Sequence, residues 1–469
     1  MTPPRSSTKP KAEIVLENPQ TGRELALLAL EENRLRETFL KDSLKNLFRR
    51  FEISSNEKPL ATELAFGTLR RRMTLDTMLK THLDRPLTSI EEPLLALFRM
   101  GVYQLVFCER IPVHAALNET VQLAKRIHKP RWCSFLNGVL RNVARNLTDV
   151  LVTRPAADAI PVRQEKYRKY QQSIFPNPDE NCVGYFSQAF SYPNWLVERW
   201  ATRFSSSELS TILFGFNEPS PLTLRNNRLK QSRDEFLELL NSEKIDAAKG
   251  EAEESVKLLS SQPVETLPGF AEGRFSVQDE TAMQAVLLLD PKPGESILDL
   301  CAAPGGKTTF LAESMQNKGN ILATDVSEKR LELIDRNLER LGIAIVETKA
   351  IHKDGSDFPT GPFDAVLLDV PCSNTGVLGK RPETRWRIQP RDIQELVEIQ
   401  RRLCLQAMKF VRPGGRLVYS TCSIEPEEDE QTIRTVLDQN PNWKLKRELH
   451  HRPGQPADGG YQALCAKIS

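Results

Sequence analysis

Apolar residues three and four positions apart recur from about Thr21 to Asn146, as in Leu25, Leu28 and Ala29 and again in Leu94, Leu97, Phe98 and Val102. This spacing predicts an all-helical module over 21–150. From 151 to 190 the periodicity lapses, and Pro155, Pro161, Pro176 and Pro178 among many polar residues predict a linker between folding units. Over 191–275 the patterns mix, with helices expected at 195–204, 208–214 and 232–242 and strands at 221–226 and 256–259. That order describes a small α/β subdomain. Over 276–469 five short apolar strands, at 296–300, 320–324, 344–348, 364–368 and 416–420, alternate with amphipathic helices. Strand then helix, repeated, predicts an α/β domain on an open parallel sheet, whose ligands bind at the carboxyl ends of the strands near the switch in strand order.

Composition adds bounds. A chain of 469 residues exceeds the about 250 to 300 at which one core stops growing, so several domains are expected. The hydrophobic share of 39% and charged share of 27% are those of an ordinary globular protein, and no apolar run approaches the about 18 residues of a membrane span. Residues 1–20 lack the apolar stretch of a secretory leader and read as a disordered tail, which makes the cytoplasm the expected compartment. Eight cysteines without a Cys-x-x-Cys pair and six scattered histidines predict reduced thiols and no metal site. Net charge is only +2, but residues 21–150 hold 21 Lys and Arg against 15 Asp and Glu, so the helical module is the basic part.

The stretches that carry chemistry fall at the ends of predicted strands. In Asp299-Leu-Cys-Ala-Ala-Pro-Gly-Gly-Lys-Thr308 the absent side chains of Gly305 and Gly306 let backbone amides at a helix amino terminus approach a ligand. The ending Gly306-Lys307-Thr308 also suggests a phosphate loop, but that loop needs a glycine where Cys301 stands. Asp325 lies about twenty residues beyond the turn, where an acid commonly bonds a ribose hydroxyl, so the reading is an adenosyl cofactor. Asp354 in His352-Lys-Asp-Gly355 is a candidate partner for an adenine amine, although Asp-Gly is also an ordinary turn.

Cys372, in Asp369-Val-Pro-Cys-Ser-Asn-Thr-Gly376, follows the fourth strand, and Cys422, in Tyr419-Ser-Thr-Cys-Ser423, leaves the fifth. Adjacent strand ends can bring both sulfurs into one cleft. A thiolate is suited to add to carbon 6 of cytosine, which readies carbon 5 for a methyl group, so these residues point to an RNA cytosine-5 methyltransferase. A free thiol is mostly protonated at neutral pH, and Lys307 or Arg385 could supply the positive charge a nucleophilic cysteine needs. Composition does not rank the two sulfurs. Basic clusters at Arg70, Arg71 and Arg72, at 125–131 with Lys125 and Arg126, and at Arg141 and Arg145 can neutralise RNA phosphates or be solvated helix faces. Arg385, Trp386 and Arg387 suit stacking on unpaired bases, or packing on one another.

Taken together, Glu63 to Arg72, Asn118 to Lys125, Ser276 to Glu280, Asp299 to Thr308, Asp369 to Arg387 and Tyr419 to Glu428 resemble the Sun/Fmu family of RNA cytosine-5 methyltransferases, with its NusB-like amino-terminal domain, over roughly Thr21 to the end. The resemblance implies an all-α NusB-like domain that binds RNA, followed by a Rossmann-like class I methyltransferase domain with its small α/β subdomain. It implies S-adenosylmethionine as methyl donor and a cytidine of 16S ribosomal RNA, free or in an assembling subunit, as target; a monomer is expected, although the sequence itself does not give the oligomeric state. Carried over by position, Cys301, Ala302, Ala303, Pro304, Gly305, Gly306 and Lys307 form the cofactor turn, and Asp325, Asp354 and Asp369 contact cofactor or base. Cys422 is then the nucleophile and Cys372 assists release. Val370, where alanine is common, and the variant stretch Gly379 to Trp386 depart from the family pattern. Rival readings are an enzyme of the same fold acting on transfer RNA or protein, and a non-catalytic RNA-binding assembly factor.

Overall fold

The computed structural model describes residues 14, 16–218, 221–260, 263–353 and 355–468. The expected tail over 1–20 falls largely outside them, and so does Asp354. The chain divides into two compact units, Met1–Glu218 with Arg381–Trp386, and Pro219–Lys380 with Arg387–Ser469.

The first unit is helical to Asn146. Its helices span Gly22–Arg36, Leu40–Arg50, Glu57–Arg70, Arg72–Lys80, Glu92–Phe107, Val113–Arg126 and Cys133–Asn146. Thr21 opens the first with a capping box: its side chain accepts from the Glu24 amide while Glu24 reaches back. The apolar stripes meet in a core that includes Leu25, Leu64, Leu97, Phe98 and Leu140, all fully buried. Gly67 is required there, because a Cβ would lie 1.9 Å from the Tyr103 ring.

Residues 151–190 are not a bare linker. β1 (Leu147–Val152), β2 (Ala159–Arg163) and β3 (Lys166–Tyr170) form an antiparallel sheet in the order β1-β3-β2, and a helix follows at Cys182–Phe190. Pro161 had argued for a loop, but β2 pairs on one side only, where a missing amide proton is tolerated. The helices Asn194–Ala201 and Ser206–Asn217, expected to belong to the small subdomain, complete the first unit through aromatic packing such as Phe190 against Phe214 at 4.7 Å.

The second unit has two sheets. The smaller is antiparallel, with β4 (Thr223–Asn226), β5 (Ala247–Lys249), β6 (Ser255–Leu258) and β7 (Phe275–Val277) in the order β5-β6-β4-β7. The helix Arg233–Ser242 covers it with Phe236 and Leu240. The larger sheet has β8 (Ser296–Leu300), β9 (Asn320–Asp325), β10 (Val346–Ala350), β11 (Phe363–Asp369), β12 (Val411–Thr421), β13 (Trp443–Arg452) and β14 (Gln455–Lys467) in the order β10-β9-β8-β11-β12-β14-β13. Five neighbours run parallel; β14 and β13 join antiparallel at the β12 edge.

Alternate residues of β8 and β11 feed two apolar layers. Ile297, Ala365 and Leu367 face Met283, Val286, Phe310 and Ile334, while Leu298, Val366 and Leu368 face Cys404, Ala407, Met408 and Ile433. The chain steps outward from β8 to β10, then resumes at β11 on the other side of β8. The switch therefore lies between β8 and β11, whose carboxyl ends are Leu300 and Asp369.

Candidate active site

The turn after β8 begins with Cys301 in the left-handed region at φ 67°, and Gly305 follows at φ 95°. A Cβ on Gly305 would lie 2.8 Å from Ile334, so glycine is needed for space as well as backbone. Gly306 then starts the helix Gly306–Ser314. Burial raises the Cys301 thiol, with Asp325 and Asp369 adding to the rise, so this sulfur stays protonated.

Three carboxylates converge on the turn. Asp325, at the end of β9, accepts from the Ala303 amide at 3.2 Å and the Ser327 amide at 3.0 Å, with Arg330 Nη1 at 3.6 Å. Asp369, at the end of β11, pairs through Oδ2 with Lys307 Nζ at 2.7 Å. Asp299 is fully buried; Oδ2 accepts from Thr308 Oγ1 at 2.6 Å and Oδ1 has no protein partner. Burial pushes the Asp299 carboxyl up to about 7, against the Thr308 bond and with the help of Asp369. Burial alone would pull the Lys307 ammonium down, but Asp369, Cys422 and Asp299 together hold it above the ordinary lysine value.

The two cysteines meet. Cys372 Sγ and Cys422 Sγ are 3.1 Å apart, and Cys422 Sγ is 3.3 Å from Asn374 Oδ1. The bond to Cys422 raises the Cys372 thiol well above its ordinary value, and burial and the Glu428 charge push the same way. Asn374, at φ 60°, donates through Nδ2 to the Cys372 carbonyl at 2.8 Å, and the Gly376 amide donates to the Cys422 carbonyl at 3.0 Å. Gly376 passes so close to Gly459 that a Cβ would lie 2.4 Å from its carbonyl oxygen.

Sequence reasoning missed Asn374, Glu428 and Arg225. Arg225, on β4, is buried in an ion pair with Glu313 at 2.7 Å and donates to the Gly306 carbonyl at 2.8 Å, so the smaller sheet braces the helix that carries the glycine turn.

The expected RNA contacts divide. Lys125 and Arg126 are exposed at the end of their helix, as are Arg141 and Arg145, although Arg126 also pairs with Glu24 at 2.7 Å. Arg72 is exposed with its guanidinium 5.2 Å from the Trp386 ring centre. Arg70, Arg71 and Arg385 do not fit the expectation of a surface cluster, because all three are buried. Arg71 lies 4.7 Å over Phe107, and burial pulls its guanidinium down to about 10. Arg385 packs 4.1 Å over Tyr192 and donates to the carbonyls of Arg70 and Ser191 and to Asn217 Oδ1 at 3.0–3.2 Å. Trp386 donates to the Leu69 carbonyl at 3.1 Å, and Arg387 is half-buried. Arg385 and Trp386 thus bind the first unit internally, which removes Arg385 as a stacking plane. Among the described residues no group of three or more His, Cys, Asp or Glu could hold a metal, and no helix is long and apolar enough to cross a membrane.

Three family models match the chain: 16S rRNA methyltransferase RsmB/F over residues 286–463, the NusB family over 20–145, and a Methyltr_RsmF/B-like ferredoxin-like domain over 192–265. The chain is 35% identical over 434 residues to "Probable ribosomal RNA small subunit methyltransferase B" of Bacillus subtilis, covering 91% of this chain and 90% of that one. It is 36% identical to ribosomal RNA small subunit methyltransferase B of Klebsiella pneumoniae subsp. pneumoniae, covering 88% of each. Among solved structures, PH0851 aligns at 26% identity with a TM-score of 0.77, over 96% of this chain and 100% of that one. The match spans the helical unit as well as the seven-stranded sheet, and the chain belongs to the RsmB/F family, a NusB-like domain joined to a Sun-family methyltransferase domain.

Proposed function

We propose that this chain methylates carbon 5 of a cytidine in 16S ribosomal RNA, with S-adenosylmethionine as donor and Cys422 as covalent nucleophile. The observation that carries the reading is the meeting of Cys372 and Cys422 at 3.1 Å, beyond the ends of β11 and β12, where Asp369 at the end of β11 pairs with Lys307. The choice of ribosomal RNA rests on the names of the relatives.

The turn suits the cofactor. The unpartnered Oδ1 of Asp299 and the carboxylates of Asp325 and Asp369 are acceptors for an ammonium and for ribose hydroxyls, and a Cβ at Gly306 would find no atom nearer than 3.7 Å. When bound, S-adenosylmethionine supplies a methyl group activated by its sulfonium. Asp354, outside the described residues, stays a candidate for the adenine amine.

The target base leaves its stack to reach the sulfurs. Lys307 sets a positive charge where it acts on Cys422, whose sulfur forms a bond to carbon 6 while Asp369 hydrogen-bonds the pyrimidine edge and favours a proton on ring nitrogen 3. That addition turns carbon 5 into a nucleophile. After carbon 5 is methylated its proton passes to a base or water, and the carbon–sulfur bond of Cys422 breaks with the electron pair returning to sulfur. Cys372, held as a neutral thiol, donates a hydrogen bond to the departing sulfur. The exposed Lys125, Arg126, Arg141 and Arg145 give the helical unit its phosphate contacts.

Cys422→Ala abolishes turnover on this reading, and retained activity removes Cys422 from its role. Cys372→Ala accumulates enzyme covalently joined to RNA, seen as a slow band on a denaturing gel; absence of that band contradicts the release role. Bisulfite sequencing of RNA from cells with and without the gene tests the target, and loss of a mark from transfer RNA instead would redirect the assignment.

A further inference from the structure

Parallel pairing fixes β11 against β12 as far as Asp369 opposite Ser420, with one more bond from the Val370 amide to the Ser420 carbonyl at 3.1 Å. Both cysteines lie beyond that ladder. Beyond the ladder the Gly376 amide on the Cys422 carbonyl, at 3.0 Å, is one tie between the two segments, and keeping the thiols at their spacing calls for a second beside the sulfurs themselves.

Glu428 supplies it. Its fully buried carboxylate accepts at Oε1 from the Ser373 amide at 2.8 Å and Gln400 Nε2 at 2.9 Å, and at Oε2 from Ser423 Oγ at 2.5 Å and from Ser373 Oγ. Ser373 directly follows Cys372 and Ser423 directly follows Cys422. Gln400 Nε2 also donates to the Pro371 carbonyl at 2.9 Å, so the residue before Cys372 is held by the same cluster. The backbone of Glu428 is fixed in turn by Tyr419, whose hydroxyl donates to its carbonyl at 2.6 Å. Only a carboxylate offers two oxygens that accept at four positions and donate at none. Burial raises the Glu428 carboxyl, and the bonds from Ser373, Ser423 and Gln400 work against that rise.

We infer that Glu428 is a positioning residue that sets the distance between the Cys372 and Cys422 sulfurs by clasping the residue after each. The inference rests on the reading that both thiols serve the reaction, and it is tested apart from turnover.

Phenylarsine oxide bridges two thiols only when they are close: both give up their protons, two arsenic–sulfur bonds form, and the arsenic oxygen leaves as water. The reduced full-length protein is titrated with this reagent, with the Cys372→Ser/Cys422→Ser protein as background. Glu428→Gln keeps one acceptor and is expected to weaken arsenical binding at least tenfold; Glu428→Ala weakens it further. Both lower kcat while KM for S-adenosylmethionine stays within twofold. Wild-type arsenical affinity in a folded Glu428→Ala protein overturns the inference. If that protein fails to fold, Glu428→Gln and Ser423→Ala carry the test, and unchanged affinity in both overturns it equally. Turnover retained by Cys422→Ala would instead defeat the covalent reading, while the arsenical titration still measures the spacing alone.

Discussion

At Asp299 one oxygen is bonded to Thr308 and the other, in a fully buried carboxyl, has no protein partner. With its carboxyl pushed from an ordinary value near 3.8 up to about 7, the folded protein keeps a proton there that the unfolded chain has already released. Stability of the cofactor-free protein is therefore lost as pH rises from about 4 to about 7, and the loss is complete above that window. Asp299→Asn has nothing to titrate. Its melting temperature minus that of the wild type should widen from pH 4 to pH 7 and then level off, in scanning calorimetry without added cofactor; a constant difference across that range contradicts the account. Other parts of the site were readable residue by residue. The glycine turn and the two cysteines sit in compact local motifs, whereas Glu428, though it ends such a motif and bonds the nearby Ser423, gathers Gln400 and Ser373 from 28 and 55 residues away. Arg385 misled for the same reason, since its acceptors come from Arg70, Ser191 and Asn217 and an isolated arginine reads as surface charge.

Among the elements, the strands of the large sheet were legible because each is a short apolar run bounded by turns. Four of the five expected strands lie within the observed β8, β9, β11 and β12. The exception, expected at 344–348, is β10 at Val346–Ala350, an edge strand whose Glu347 and Lys349 are exposed; the apolar residues just before it drew the reading two positions early. The Arg225–Glu313 pair joins two elements that sequence order does not place together. Both side chains are fully buried, so Arg225→Met leaves a carboxylate without its partner and should cost about 3–5 kcal/mol in denaturant unfolding of the second unit. Replacing both residues by apolar ones recovers most of that loss. A single substitution that costs less than about 1 kcal/mol contradicts this view of the brace.

For the whole molecule, the expected break at 151–190 lies between the NusB match, which ends at 145, and the ferredoxin-like match, which opens at 192, whereas the compact units divide between Glu218 and Pro219, and Arg381–Trp386 returns to the first unit. A fragment of residues 1–218 lacks the Arg385 guanidinium that serves the carbonyls of Arg70 and Ser191 and the Asn217 side chain. Such a fragment should melt below the first unit of the intact chain, and adding a peptide spanning 381–386 should raise its melting temperature with peptide concentration. No response to the peptide would show that the segment is dispensable to the unit.

That returning segment also bears on synthesis. A ribosome must translate through Trp386 before the amino-terminal unit has all its parts, by which point β8 to β11 have already been made. The two halves therefore mature in overlapping time rather than one after the other, and gene fusion at a single junction cannot transplant either of them whole.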